Sequence, residues 1–318
     1  MLRKLNLLVI GCGLVFGAQQ GIAGEQYAQS TSQHHAAADK SANKHLAKTT
    51  PRKLTPSKLS TTQIIEKNAR ARGGLQAWRA VKSMQMTGVM DAGYIKPKPQ
   101  LDPASTQLNR SLSRMGRIQA AMERAKQEQN PGKLVQVPFT MDLQRPRKQR
   151  LEVKYADATA VQVYDGKQGW KLRPYMKHDT VEAYSPQELK LAQLQTELDG
   201  PLLDYKAKGY KVNVEGMEQV NGKNAYRLKV AMPGDHVRHV WIDARTFLDV
   251  QIDETRKLGG KPRAVITALN DYKEVNGLKI PFEMVTHVEG ASHTPPSKIS
   301  VEKVTLNPRL GADVFAKP

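Results

Sequence analysis

From Leu134 to the C-terminus, apolar and polar residues alternate in short runs separated by Gly, Asn and Asp. A period of two is the mark of half-buried strands. Leu151, Val153 and Tyr155 alternate with Glu152 and Lys154. Val161-Gln162-Val163-Tyr164 meets the turn Asp165-Gly166, and Gly169-Trp170-Lys171-Leu172 returns. Tyr210, Val212 and Val214 share one face, and beyond Asn221-Gly222 so do Tyr226, Leu228, Val230 and Met232. Val240-Trp241-Ile242-Asp243 and Leu248 to Asp253 flank Ala244-Arg245-Thr246. Asn276-Gly277 separates Tyr272 to Val275 from Leu278 to His287, and Lys298 to Leu306 is the last run. Asn-Gly between alternating segments is a strong hairpin signal. The pattern predicts about ten to eleven strands, mostly antiparallel, without the β-α-β alternation of a parallel sheet.

Helical signals frame this sheet. Ser60-Thr61-Thr62-Gln63 is a capping box, with Leu59 and Ile64 at the positions of a hydrophobic staple. The helix should run from Thr61 to about Arg72 and stop at Gly73-Gly74, followed by a short helix from Leu75 to Val81 and a first strand from Ser83 to Gly93. Ser185-Pro186-Gln187-Glu188 opens a third helix, expected to end near Gly200.

Residues 96 to 133 interrupt the strand pattern with eight bases against three acids. Leu108, Leu112, Met115, Ile118, Met122 and Ala125 fall at spacings of 4, 3, 3, 4 and 3, an amphipathic stripe. Arg110, Arg114 and Arg117 lie mainly off it. Two readings stay open: a surface helix packed on the sheet, or a movable lid or membrane-facing helix.

The N-terminus changes the setting. Arg3 and Lys4, the apolar run Leu5 to Phe16 and the small residues of Gly21-Ile22-Ala23 make a signal peptide over residues 1–23, cleaved after about Ala23. The alternative is a lipoprotein anchored through Cys12, the single cysteine. Cleavage after Ala23 leaves no cysteine, which excludes a disulfide framework and a cysteine metal site. Residues 24–58 carry little to bury and read as a disordered basic linker. The domain is expected to span 59–318, with the insert at about 97–133.

Removing Arg3 and Lys4 lowers the net charge from +19 to +17. Such a balance favours anionic partners. Export to the periplasm makes nucleic acid a poor partner, and the 6% aromatic content shows no interleaving with basic residues suited to stacking bases. A lipid or lipidated protein, an anionic membrane surface or an inner-membrane protein remain.

Catalytic signatures are missing: there is no nucleophile elbow, no phosphate-binding glycine loop and no zinc-protease histidine pair. His236 and His239 enter a strand, where i and i+3 face opposite ways. Neither a cofactor nor a metal site is expected. The aromatics on strands are either ordinary core or the wall of an apolar cavity. The candidate cavity residues are Trp170, Tyr210, Val212, Val214, Tyr226, Leu228, Val230, Ile242 and Phe282.

Several stretches carry a family resemblance: Ala71-Arg72-Gly73-Gly74-Leu75-Gln76-Ala77-Trp78, Tyr164-Asp165-Gly166-Lys167-Gln168-Gly169-Trp170, and Glu197-Leu198-Asp199-Gly200-Pro201-Leu202-Leu203-Asp204-Tyr205. Lys208-Gly209-Tyr210-Lys211-Val212, Trp241-Ile242-Asp243, Tyr272 to Pro281 and the ending from Leu306 to Phe315 belong with them. Together, over about residues 60 to 318 apart from the insert, they resemble the outer-membrane lipoprotein-sorting proteins, relatives of the LolA and LolB carriers. The resemblance implies an α+β fold: a curved antiparallel sheet forming a half-open β-barrel, with helices covering its concave face and apolar cargo between them. The function expected is non-enzymatic binding or carriage of a lipid-like amphiphile. Sensing of mislocalised envelope components is the alternative, and action on lipid or glycan as an enzyme a minor one.

Overall fold

The computed structural model describes residues 54–95, 115, 118, 133–155, 157–174, 178–258, 261–290, 296–311 and 313–318. The signal peptide, the linker up to residue 53, and Leu108, Arg110, Leu112, Arg114 and Arg117 of the insert lie outside them. Met115 and Ile118 are helical and are 75% and 48% exposed.

Two helices come first, α1 (Thr61–Ala71) and α2 (Leu75–Ala80). Strands β1 (Ser83–Ile95), β2 (Lys133–Gln144), β3 (Lys148–Tyr155), β4 (Ala158–Tyr164), β5 (Gly169–Arg173) and β6 (His178–Ala183) follow. Helix α3 (Pro186–Gln195) then leads to β7 (Lys211–Val220), β8 (Lys223–Met232), β9 (His236–Asp243) and β10 (Asp249–Leu258). The chain closes with β11 (Lys261–Val275), β12 (Leu278–Val288) and β13 (Ser297–Leu306).

All thirteen strands form one antiparallel sheet, ordered β6-β5-β4-β3-β2-β1-β13-β12-β11-β10-β9-β8-β7. The chain starts near the centre with β1, walks to one edge at β6, crosses to the other edge at β7 and walks back to pair β13 with β1. The sheet stays open between β6 and β7, a half-barrel with its helices on the inner face. The crossing is made by α3 and residues 196–210, so the sheet's own connection covers that face.

Local chemistry fixes the helices. Ser60 accepts from Gln63 N while the Gln63 side chain accepts from Ser60 N, and Ser185 and Glu188 repeat the exchange at α3. Gly73 (φ 108°) ends the first helical segment where a Cβ would stand 2.2 Å from the Gly277 carbonyl oxygen. Only glycine permits both the left-handed turn and that approach. Helix α3 stops at Gln195, short of Gly200, where Thr196 and the residues after it turn to offer Glu197 and Asp199 to cations of the β2–β3 turn and the crossing.

Among the described residues thirteen strands form where about ten to eleven are expected. Strand β6 was not anticipated because His178-Asp179-Thr180 shows no alternation, and β11 begins well before Tyr272. Packing also starts upstream of Leu59: Thr55 bridges Met217, with N–H···O distances of 2.9 and 2.7 Å.

Two cores share the inner face. Met84, Met90, Phe139, Met141, Leu143, Leu151 and Ile299 form the larger, with Trp78 of α2. The second, on β7 to β9, packs Val212, Tyr226, Leu228, Val230, Val240 and Ile242 against Ile64 and Ile65 of α1.

Candidate functional site

A cavity of about 160 Å³ lies between the two cores, under residues 195–201. Its floor is apolar and rich in methionine. Met84 and Met86 come from β1, Met141 from β2 and Met284 from β12. Met86 stands directly opposite Met141 across the β1–β2 ladder, so both point to the inner face. Leu143, Ile252, Leu269, Ile280, Trp78 and Leu198 complete the apolar wall. Unbranched thioether side chains fill irregular space and adapt to what enters.

The remaining wall is charged. Arg72, Gln195, Glu197, Arg238 and Asp249 all line the cavity. Arg72, at the end of α1, donates to the Asp199 carbonyl oxygen at 3.0 Å, lies 3.7 Å from Asp249 and stacks 4.6 Å above Trp78. Asn68 donates to Asp249 at 3.0 Å. Burial pushes the Asp249 carboxyl above its ordinary range, against the pull of Arg72 and Asn68. Arg238 donates to Glu254 at 2.8 Å, Arg256 binds the other oxygen of the same carboxylate, and Gln195 of α3 donates to it at 2.6 Å. Burial raises Glu254, but Arg256 and Arg238 more than offset it, so the group sits below its ordinary value.

A second cluster pins the crossing at the rim. Glu197 accepts from Tyr210 Oη at 2.5 Å, Lys208 at 3.3 Å and Arg147 at 3.4 Å. Asp199 accepts from Lys208 at 2.8 Å and Arg145 at 2.9 Å. On the far side, Lys171 of β5 meets Glu188 of α3 at 2.6 Å, both nearly buried, which fixes the helix to the sheet. Among the described residues no group of three or more His, Cys, Asp or Glu side chains is placed to hold a metal ion.

None of the nine residues expected to line a cavity lines this one. Tyr210, Val212, Val214, Tyr226, Leu228, Val230 and Ile242 are brought together on the inner face, where they pack under α1 and Leu202 as core. Tyr210 reaches the cavity at one remove, through the hydroxyl that holds Glu197. Phe282 belongs to the larger core, beneath the Lys273 ammonium at 4.6 Å. Trp170 is on the outer face, paired across the ladder with Val163 and packed with Phe315. The histidines divide by face as the strand period requires. His236 neighbours Lys190 of α3, whereas His239 lies 3.0 Å from Asp253 on the outer side.

The residues that do line the cavity had one visible signal. Met84, Met86 and Met90 alternate with Gln85, Thr87 and Val89 on the first strand, one apolar and flexible row. Their partners on β2, β10 and β12 are remote in the chain, and nothing local joins them.

No family model and no curated protein matches the chain. Solved structures do resemble it in fold. A LolA superfamily protein from Nitrosomonas europaea matches over 81% of this chain and 98% of its own, at 11% identity and a TM-score of 0.48. An outer membrane lipoprotein-sorting protein domain from Vibrio parahaemolyticus covers 80% and 95%, at 9% identity and 0.47. A DUF1329 family protein from Desulfovibrio piger covers 80% and 96%, at 12% and 0.46.

Proposed function

We propose that this chain is an exported, non-enzymatic binding protein that shelters the apolar end of a lipid-like amphiphile. The observation that carries the reading is the methionine-lined cavity between the inner face and the crossing at 195–201. Burying apolar groups there is favourable by roughly 0.8 kcal/mol per CH₂. A cavity near 160 Å³ is comparable with one of about 150 Å³ that takes up a benzene-sized guest. It therefore suits the tip of an acyl chain, with the rest lying along the half-open sheet.

The proposal extends to the parts outside the described residues. Residues 1–23 direct export to the periplasm, 24–53 tether the domain, and the insert at about 97–133 meets an anionic membrane surface or an inner-membrane protein. The test is titration of delipidated protein with a fluorescent acyl-chain probe, competed by unlabelled fatty acid. Saturable, competable binding supports the reading; probe uptake that no competitor reduces contradicts it.

A further inference from the structure

The charges around Glu254, behind the cavity wall, do not balance. Glu254 is a single carboxylate shared by two guanidiniums, Arg238 and Arg256, and all three side chains are 85% or more buried. Further out, Lys190 of α3 and Asp235 act on the neighbouring His236 with opposite sign. Arg72, the other arginine on the wall, has a carboxylate of its own in Asp249, a carbonyl partner in Asp199 and an aromatic face in Trp78. Among the described residues Arg238 has half of Glu254, and that bond occupies one of the five donors a guanidinium carries.

We infer that Arg238 is the seat of an oxyanion at the ligand's polar end, so that the protein selects anionic amphiphiles over neutral ones. The inference rests on the cavity reading and adds the head group to it. A planar fork beside a desolvated excess of positive charge is the arrangement that binds carboxylate or phosphate oxygens most strongly. An apolar chain entering the methionine floor brings its head to the charged wall, because Arg238 and Met84 border one cavity. Gln195, which also lines the cavity, is engaged on Glu254 and keeps that carboxylate turned to its two arginines.

Four ligands with one decyl chain test this: decanoate, decyl phosphate, decanol and decylamine, each competing against the acyl-chain probe below its micelle concentration. Both anions should bind about tenfold or more tighter than decanol, the increment of a charge-assisted hydrogen bond, and decylamine weakest. Arg238→Gln should erase the anion advantage, so that decanoate, decyl phosphate and decanol compete about equally. Glu254→Gln should enlarge it, and Arg238→Lys should keep part of it. Preference for decanoate alone assigns a carboxylate source; preference for decyl phosphate alone assigns a phosphate head. Equal binding of anions and decanol to the wild type, or an advantage that survives Arg238→Gln, overturns the arginine assignment and leaves the cavity standing. Failure of all four to compete sinks the cavity reading itself, and this inference with it. If Arg238→Gln does not fold, the wild-type series and Glu254→Gln still decide the matter.

Discussion

Arg145, at the end of β2, donates a hydrogen bond to the Asp199 carboxylate at 2.9 Å, tying the crossing segment to the sheet. Lys208 holds the other oxygen and Arg72 the backbone carbonyl of the same residue, so Asp199 gathers three cations at the rim of the cavity. Its side chain is 3% exposed.

Removing that charge should destabilise the protein. Deleting one partner of a buried pair costs about 3–5 kcal/mol; Arg145 is partly solvated, so about 2–3 kcal/mol is expected for Asp199→Asn. Burial raises the Asp199 carboxyl, but Lys208 and Arg145 outweigh it and hold the group below the ordinary aspartate value of 3.8. A depressed carboxyl contributes stability that is present above its unfolded value and lost as pH falls through the folded one. The gap between wild type and Asp199→Asn in urea unfolding should be full at neutral pH and shrink below pH 3.8. An unchanged gap in acid would show that the ion pairs contribute nothing.

Asp249 should behave in the opposite sense. Its carboxyl is raised by burial, so its contribution is present below 3.8 and lost as pH rises through the folded value. Asn at this position does not titrate. The wild type should therefore gain stability relative to Asp249→Asn as pH is lowered from neutrality into the ordinary carboxylate range. Parallel stability curves would contradict the account of that site.

Leu228 is fully buried beneath α1 with Val230 and Ile242. Leu228→Ala should cost about 2–5 kcal/mol, the range for emptying a packed site. Affinity for an acyl-chain probe should not change, since Leu228 does not border the cavity. Weakened binding with unaltered melting temperature would move the ligand to the β7–β9 face.

The insert at about 97–133 springs from the tip of a hairpin, because Ile95 pairs with Lys133 across β1 and β2. Excising residues 97–132 and closing the turn should leave the sheet folded. If the segment meets anionic membrane, each basic residue near the surface adds on the order of 1 kcal/mol, screened by salt. The shortened protein should then bind anionic vesicles more weakly at low salt, and neutral vesicles unchanged. Retained affinity for anionic vesicles would assign the charge elsewhere.

The legible parts of the fold were those written locally. Two capping boxes, the Asn-Gly turns and the shared face of Tyr226, Leu228 and Val230 are determined by residues within a few positions of one another. Asp165 and Asp243 sit beside turns, each accepting from two backbone N–H groups downstream. The cavity was not legible, because Met284 joins the methionines of β1 and β2 only when β13 pairs with β1, and the crossing then lies over them. Alternation also assigns Trp170 and Lys171 to opposite faces without saying which is inward. Lys171 turns in to meet Glu188, and the C-terminal segment covers Trp170 through Phe315.

The central claim is tested most directly by extracting and weighing the small molecules that accompany the protein from its native compartment, beside the variant Met86→Trp. Met86 borders the cavity opposite Met141 and is only partly buried, so an indole there is placed to fill the space from the edge of the larger core. The account predicts that the wild type carries an apolar amphiphile, recovered by mass spectrometry, and that folded Met86→Trp carries little or none. Empty wild-type protein in repeated preparations, or the same bound molecule in both proteins, would contradict it.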